Sequence, residues 1–140
     1  KNNIEMKIKN LNLDNAFYFM GSYPTNQMPL FFSHADALLV TLKKSKIFSL
    51  TIPNKIQSYM ACSKPIIASL DGEGNRVISD SNCGFASPSE DHISMSESII
   101  KLMKLSKKER EIMGNNGRTY FEKEFEREKQ LDKLIAILDE

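Results

Sequence analysis

The sequence predicts an α/β protein built on a parallel sheet with flanking helices. Short apolar, β-branched runs alternate with amphipathic stretches, the order in which strand–helix–strand units build such a sheet. The run TIPNKIQSYMACSKPIIAS at 51–69 sets a proline where a helix can begin and an apolar strand directly behind that helix. The turn Asp71-Gly72-Glu73-Gly74 then follows the strand at its carboxyl end, where open α/β sheets bind ligands.

Each element has its own signal. Residues 1–13 read as a helix with Ile4, Ile8 and Leu11 on one face. Residues 16–20 read as the first strand, ending at the turn Gly21-Ser22-Tyr23-Pro24, and residues 27–34 as a helix. Residues 37–42 form the second strand, with the basic loop Lys43-Lys44-Ser45-Lys46 at its carboxyl end. A helix over 54–63 begins behind Pro53, whose fixed φ suits a helix start and whose missing N–H would be an orphan there. Residues 65–70 are the third strand, 75–81 a helix and 84–87 a short last strand. Residues 92–105 carry Ile93, Ile99, Ile100 and Met103 at helical spacing. Ser106 is a good N-cap for the next helix, which Asn115-Asn116-Gly117 should interrupt or distort. Residues 126–138 close the chain as an amphipathic helix with Leu131, Leu134, Ile135 and Leu138 in line.

Composition sets the outer limits. A chain of 140 residues is one domain, long enough to bury a core, and 41% hydrophobic with 26% charged residues is ordinary for a globular protein. A formal net charge of +1 argues against a dedicated nucleic-acid binder. Cys62 and Cys83 fit neither a disulfide framework nor a zinc site, and read as reduced thiols in a cytosolic setting. No apolar run reaches membrane-spanning length and no stretch reads as a secretory signal.

Several positions could carry chemistry. The helix start at Pro53-Asn54-Lys55 offers outward N–H groups, the positive end of a dipole and an ammonium, a set that suits phosphate. Lys55 could equally be one solvated lysine among many. Gly72 and Gly74 would let backbone approach a ligand closely, or simply make the turn. The lysines at 43, 44 and 46 could steer a diphosphate or an anionic lipid carrier, or line a solvated loop. Tyr23 could stack on a base or cover the next helix. His34 and His92 read as capping or packing residues, Asp36 as a local backbone partner, and Met28, Met60, Met95, Met103 and Met113 as gap fillers on helix faces. No metal-ligand spacing and no nucleophile elbow is present, and no acidic cluster supports a phospho-acceptor signalling domain.

Four stretches, in order, resemble one family. They are NAFYFMG at 15–21, HADALLVTL at 34–42, the 51–69 run, and DGEGNRVISDSNCGFASPSED at 71–91; the tail MGNNGRTYFEKEF at 113–125 agrees as well. Together they are similar to the donor-binding core of the family-4, retaining, GT-B-fold glycosyltransferases, and most similar to the branch that builds bacterial surface polysaccharides. That branch usually reads Pro-Ser-Lys-x-x-Glu-Tyr-Met-Ala-x-Gly-Lys-Pro, which Pro53, Lys55, Tyr59, Met60, Ala61, Lys64 and Pro65 match.

The resemblance implies a Rossmann-like sheet forming the C-terminal half of a GT-B enzyme. Residues 1–140 would be a single, apparently truncated nucleotide-sugar-binding domain lacking its first strands. It implies that Pro53, Asn54 and Lys55 lie at the donor diphosphate, that Gly21, Ser22 and Tyr23 flank the base, and that Gly72, Glu73 and Gly74 lie beside the donor. Relatives usually accept the ribose hydroxyls with a glutamate where this chain has Ser58, and many carry another where it has Leu50. A serine is shorter and uncharged, so a charge-assisted contact is lost there. The implied reaction moves a sugar from a nucleotide-sugar donor to a bacterial polysaccharide or lipid-linked acceptor, held by an N-terminal domain absent from these residues. No metal or cofactor is expected, and no catalytic residue is assigned. The fragment alone should be inactive and could dimerise through uncovered apolar faces. The implied setting is cytoplasmic, with peripheral contact at the inner membrane face. The alternative from another class is a non-catalytic nucleotide-sugar-binding or protein-interaction module, which Ser58 and Leu50 favour.

Overall fold

Three strands form one parallel sheet in the order β1-β2-β3 in the computed structural model, which describes residues 2–139. They are β1 (Leu38–Thr41), β2 (Ile66–Ser69) and β3 (Gly84–Ser87), with Leu38 opposite Ile66 and Ile66 opposite Gly84. Parallel neighbours need crossover connections, and helices supply them. Between β1 and β2 lie α3 (Lys46–Ser49) and α4 (Asn54–Ala61), and between β2 and β3 lies α5 (Glu73–Ser81). Before β1 come α1 (Asn2–Asn10) and α2 (Met28–Ser33); after β3 come α6 (His92–Lys104), α7 (Lys107–Glu124) and α8 (Arg127–Leu138). This is the predicted α/β, Rossmann-like arrangement of a parallel sheet flanked by helices.

Successive side chains on a strand point to opposite faces, and here the two faces are covered unequally. Leu38, Val40, Ile66, Ala68 and Leu70 join Ile56, Met60, Val77 and Ile78 in one buried cluster under α4 and α5. On the other face α6 packs over β2 and β3 and Ile67 is buried, but Leu39 and Thr41 of β1 remain exposed. Tyr59 spans the free edge of β1: its ring meets Phe32 edge-on and its hydroxyl donates to the Leu39 carbonyl at 3.3 Å.

Besides the short α3, which falls where only a loop is expected, two elements differ from the sequence-based expectation. Residues 16–20 are not a strand: a 3-10 turn at Asp14–Ala16 leads into chain that is extended at Phe17 but takes no strand pairing, and Phe17, Tyr18, Phe19 and Met20 are exposed. An extended segment becomes a strand only when a neighbour takes up its backbone groups, and among the described residues the three strands pair only with one another. The second difference is α7, which runs unbroken through Asn115-Asn116-Gly117. Gly114 and Gly117 are buried where α7 crosses the core: a Cβ at Gly114 would lie 2.1 Å from the Ser63 carbonyl oxygen, and one at Gly117 would lie 2.9 Å from Cys83 Cβ. These glycines are sites of close helix packing and do not end the helix. Asp36 also differs, facing the Arg110 guanidinium at 3.5 Å rather than bonding nearby backbone.

Candidate functional site

The segments after β1 and β2 bring two helix starts together at the carboxyl end of the sheet. Gly72 holds φ at +69°, and a Cβ there would lie 1.9 Å from the Ser49 carbonyl oxygen. The end of α3 is therefore seated directly on the turn that begins α5. Gly74 is buried one step further on, where a Cβ would meet Leu70 Cδ1 at 2.8 Å and Ile56 Cδ1 and Pro53 Cδ at 3.3 Å. A side chain at Gly72 would push the end of α3 off the start of α5, whereas at Gly74 the flexible end of Leu70 could give way and Ile56 and Pro53 would have to shift only slightly.

Both helix starts are left open. Pro53 caps α4 and Gly72 caps α5, and neither has a side chain able to accept an N–H. Among the described residues the first amides of α4, at Asn54 and Lys55, take no backbone partner, while Ile56 donates to the Pro53 carbonyl at 2.9 Å. In α5 the amides of Glu73, Gly74 and Asn75 are likewise without a backbone partner among the described residues, and Arg76 donates to the Gly72 carbonyl at 3.0 Å. By contrast α6 and α7 close their own starts: Asp91 accepts from the Ser94 amide, and Ser106 with Glu109 forms a reciprocal capping box. Open N–H groups at the positive end of a helix are anion sites in waiting.

The side chains around this point are polar and mostly engaged. Asn54, Lys55 and Ser58 are exposed on α4, and the Ser58 hydroxyl turns back to donate to the Asn54 carbonyl at 3.1 Å. The Glu73 carboxylate is held by Arg76 at 2.6 Å, which keeps it below the usual carboxylate range, and Asp80 flanks the same guanidinium at 2.9 Å. Lys55 forms no ion pair among the described residues, which leaves its ammonium available.

A second layer fixes the turn from behind, and sequence reasoning missed it. The Asp71 carboxylate accepts from the Ser89 amide at 3.0 Å and from the Ser89 hydroxyl. These bonds, with a smaller contribution from Lys44, hold the Asp71 carboxyl below its ordinary pKa. Ser69 donates to the Pro88 carbonyl at 2.9 Å, Ser87 to the Ala68 carbonyl at 3.0 Å, and Asn75 Nδ2 to the Leu70 carbonyl at 3.2 Å. The loops after β2 and β3 are thereby stitched into one rim. The serines at the strand ends were the available signal, since a buried hydroxyl must find a partner. Beside this rim lies an open cleft of about 320 Å³, lined by Thr41, Leu42, Lys43, Ser69, Glu90, His92 and Met95.

The structure thus brings Pro53, Asn54, Lys55, Gly72, Glu73 and Gly74 to one place, with Ser58 one turn along α4. Gly21, Ser22 and Tyr23 lie on the segment that precedes α2. All three are exposed, Tyr23 rests on Phe31 of α2 with ring centroids 4.4 Å apart, and no hydrogen bond among the described residues joins them to the other turns. Among the described residues no group of three or more His, Cys, Asp or Glu side chains is placed to hold a metal ion.

Residues 1–120 match the family model described as glycosyl transferases group 1. No curated protein and no solved structure matches the chain significantly.

Proposed function

Because the chain belongs to the group 1 glycosyl transferases, a family of glycosyl transfer, we propose that it is the donor-binding part of a retaining enzyme that takes a sugar from a nucleoside-diphosphate sugar. The observation that carries this reading is the meeting of two uncapped helix starts at adjacent strand ends, with Lys55 beside them.

A departing nucleoside diphosphate is the species that needs stabilising when a glycosidic bond to phosphate breaks. In this reading the amides of Asn54 and Lys55 on one helix, and of Glu73, Gly74 and Asn75 on the other, donate to the phosphate oxygens. Lys55 supplies the full positive charge. Donors fixed before the reaction need no reorganisation as charge develops, which is how such arrays lower a barrier. The acceptor oxygen attacks on the face from which the diphosphate leaves, so the anomeric configuration is retained. No protein nucleophile or resident metal is called for. The acceptor is a bacterial polysaccharide or a lipid-linked glycan, the transferred unit is a hexose-type sugar, and the reaction runs on the cytoplasmic side. Tyr23 reaches a base only after leaving Phe31.

A second reading is favoured by two observations. Ser58 spends its hydroxyl on the Asn54 carbonyl, and Leu50 presents no acid, so neither offers a carboxylate to a ribose. A module that binds a nucleotide sugar without transferring it fits those two facts. Incubating the full-length protein with individual nucleotide sugars and following release of nucleoside diphosphate separates the readings. Turnover with a product of unchanged anomeric configuration, read by NMR, supports the enzyme; no transfer with any nucleotide sugar leaves the binding module.

A further inference from the structure

The segment between Asp36 and Asp71 carries five lysines and no acidic residue, in a chain whose formal net charge is only +1. Three of those lysines, Lys43, Lys44 and Lys46, lie on the loop that leaves β1, and all three are exposed. None forms an ion pair among the described residues, although Lys44 is near enough to Asp71 to help hold that carboxyl ionised. The same loop presents apolar side chains to water: Ile47 is 73% exposed, Phe48 45% and Leu50 68%. None of them belongs to the core cluster.

This knuckle is firmly built. Ser49 Oγ donates to the Lys46 carbonyl at 2.8 Å, the Ser49 amide to the Ser45 carbonyl at 3.0 Å, and the Ser49 carbonyl is seated against Gly72. The apolar residues are therefore held outward by a folded turn. Lysines alone would suit any anion, and apolar residues alone any greasy surface. Interleaved on one turn they complement a surface that is anionic outside and apolar just beneath, which is the interface of a bilayer containing acidic lipids. Among the described residues no helix is long and apolar enough to cross a membrane, so such contact would be peripheral.

We infer that residues 43–50 form a membrane-surface foot, with Lys43, Lys44 and Lys46 at acidic headgroups and Ile47, Phe48 and Leu50 in the interfacial layer. Because this loop abuts Gly72, the foot would set the two open helix starts at headgroup depth. The inference stands on the loop's own chemistry and does not depend on nucleotide binding.

Flotation of the protein with lipid vesicles tests it. The protein should float with phosphatidylcholine vesicles containing a minority of phosphatidylglycerol, and much less with phosphatidylcholine alone. The combined K43Q/K44Q/K46Q variant should partition about a hundredfold more weakly. I47S/F48S should lose about tenfold or more, while its thermal unfolding stays close to that of the unchanged protein, since both side chains are exposed. Failure of the unchanged protein to float with acidic vesicles would overturn the inference. So would flotation of a folded I47S/F48S at full strength, which would leave charge attraction alone and no apolar residue in the interfacial layer.

Discussion

The Ser49 carbonyl oxygen occupies the space that a side chain at position 72 would need. An ideal Cβ on Gly72 would stand 1.9 Å from that oxygen, on a backbone whose φ of +69° already disfavours any L side chain. One hydrogen-for-carbon exchange therefore bears on three things at once: the seat of α3, the start of α5 and the separation of the two open helix ends.

Gly72→Ala should lower stability by about 2–5 kcal/mol, since it adds backbone strain to a clash with main chain that cannot rotate away. Urea unfolding measures the loss. Nucleotide affinity should fall with it in whatever fraction remains folded, because the α5 amides are displaced from those of α4.

Gly114→Ala should also destabilise, against the usual trend for helices. In an exposed helix the exchange gains about 1 kcal/mol. Here the new methyl would meet the Ser63 carbonyl oxygen at 2.1 Å, and prising α7 from that turn should cost about 2–4 kcal/mol net. The exposed neighbour Asn115→Ala should instead be neutral or slightly stabilising. Thermal unfolding of the two variants side by side shows a lowered midpoint for Gly114→Ala alone if α7 is packed as described.

Asp71 ties the turn to the loop after β3, and its carboxyl pKa is lowered chiefly by the Ser89 hydroxyl and amide. A carboxyl whose folded pKa is depressed stabilises the fold above its unfolded value, about 3.9, and that contribution is lost as pH falls through the lower folded value. Asp71→Asn should therefore be less stable than the unchanged protein at neutral pH. Its stability should also depend less on pH below about pH 4, as urea midpoints across that range would register.

Ser58→Glu should strengthen nucleoside-diphosphate binding by about tenfold, by supplying a charged acceptor where the serine now bonds its own helix. Gain in affinity without gain in transfer would favour the non-catalytic reading. Gain in both would mark this chain as a weakened enzyme.

Much of this arrangement is legible in the residues, and the failures have physical causes. Ile66 and Ile67, bounded by Pro65 and the Gly72 turn, announce a buried strand, and Pro53 marks the start of α4 correctly to the residue. The apolar run at 16–20 carries the same local signal, but strand formation is decided by a distant partner that local composition cannot supply. Gly117 reads as a helix breaker because intrinsic propensity is local, whereas its contact with Cys83 is made across the core. Around the candidate site, the placement of Asn54 and Lys55 at a helix start and of Gly72 in a turn follows from the sequence. The Asp71–Ser89 stitch does not, since it joins loops after two different strands. Nor does sequence reveal that Ser58 turns inward to Asn54 or that Tyr23 rests on Phe31.

The most direct test of the donor site is calorimetric titration with UDP, GDP and ADP, on the unchanged protein and on Lys55→Ala. Measurable binding of one nucleotide is expected, weakened by about tenfold or more in Lys55→Ala through loss of a charge-assisted contact to phosphate. Binding that is indifferent to Lys55→Ala, or no heat with any of the three on the full-length protein, would contradict a diphosphate site at the meeting of α4 and α5.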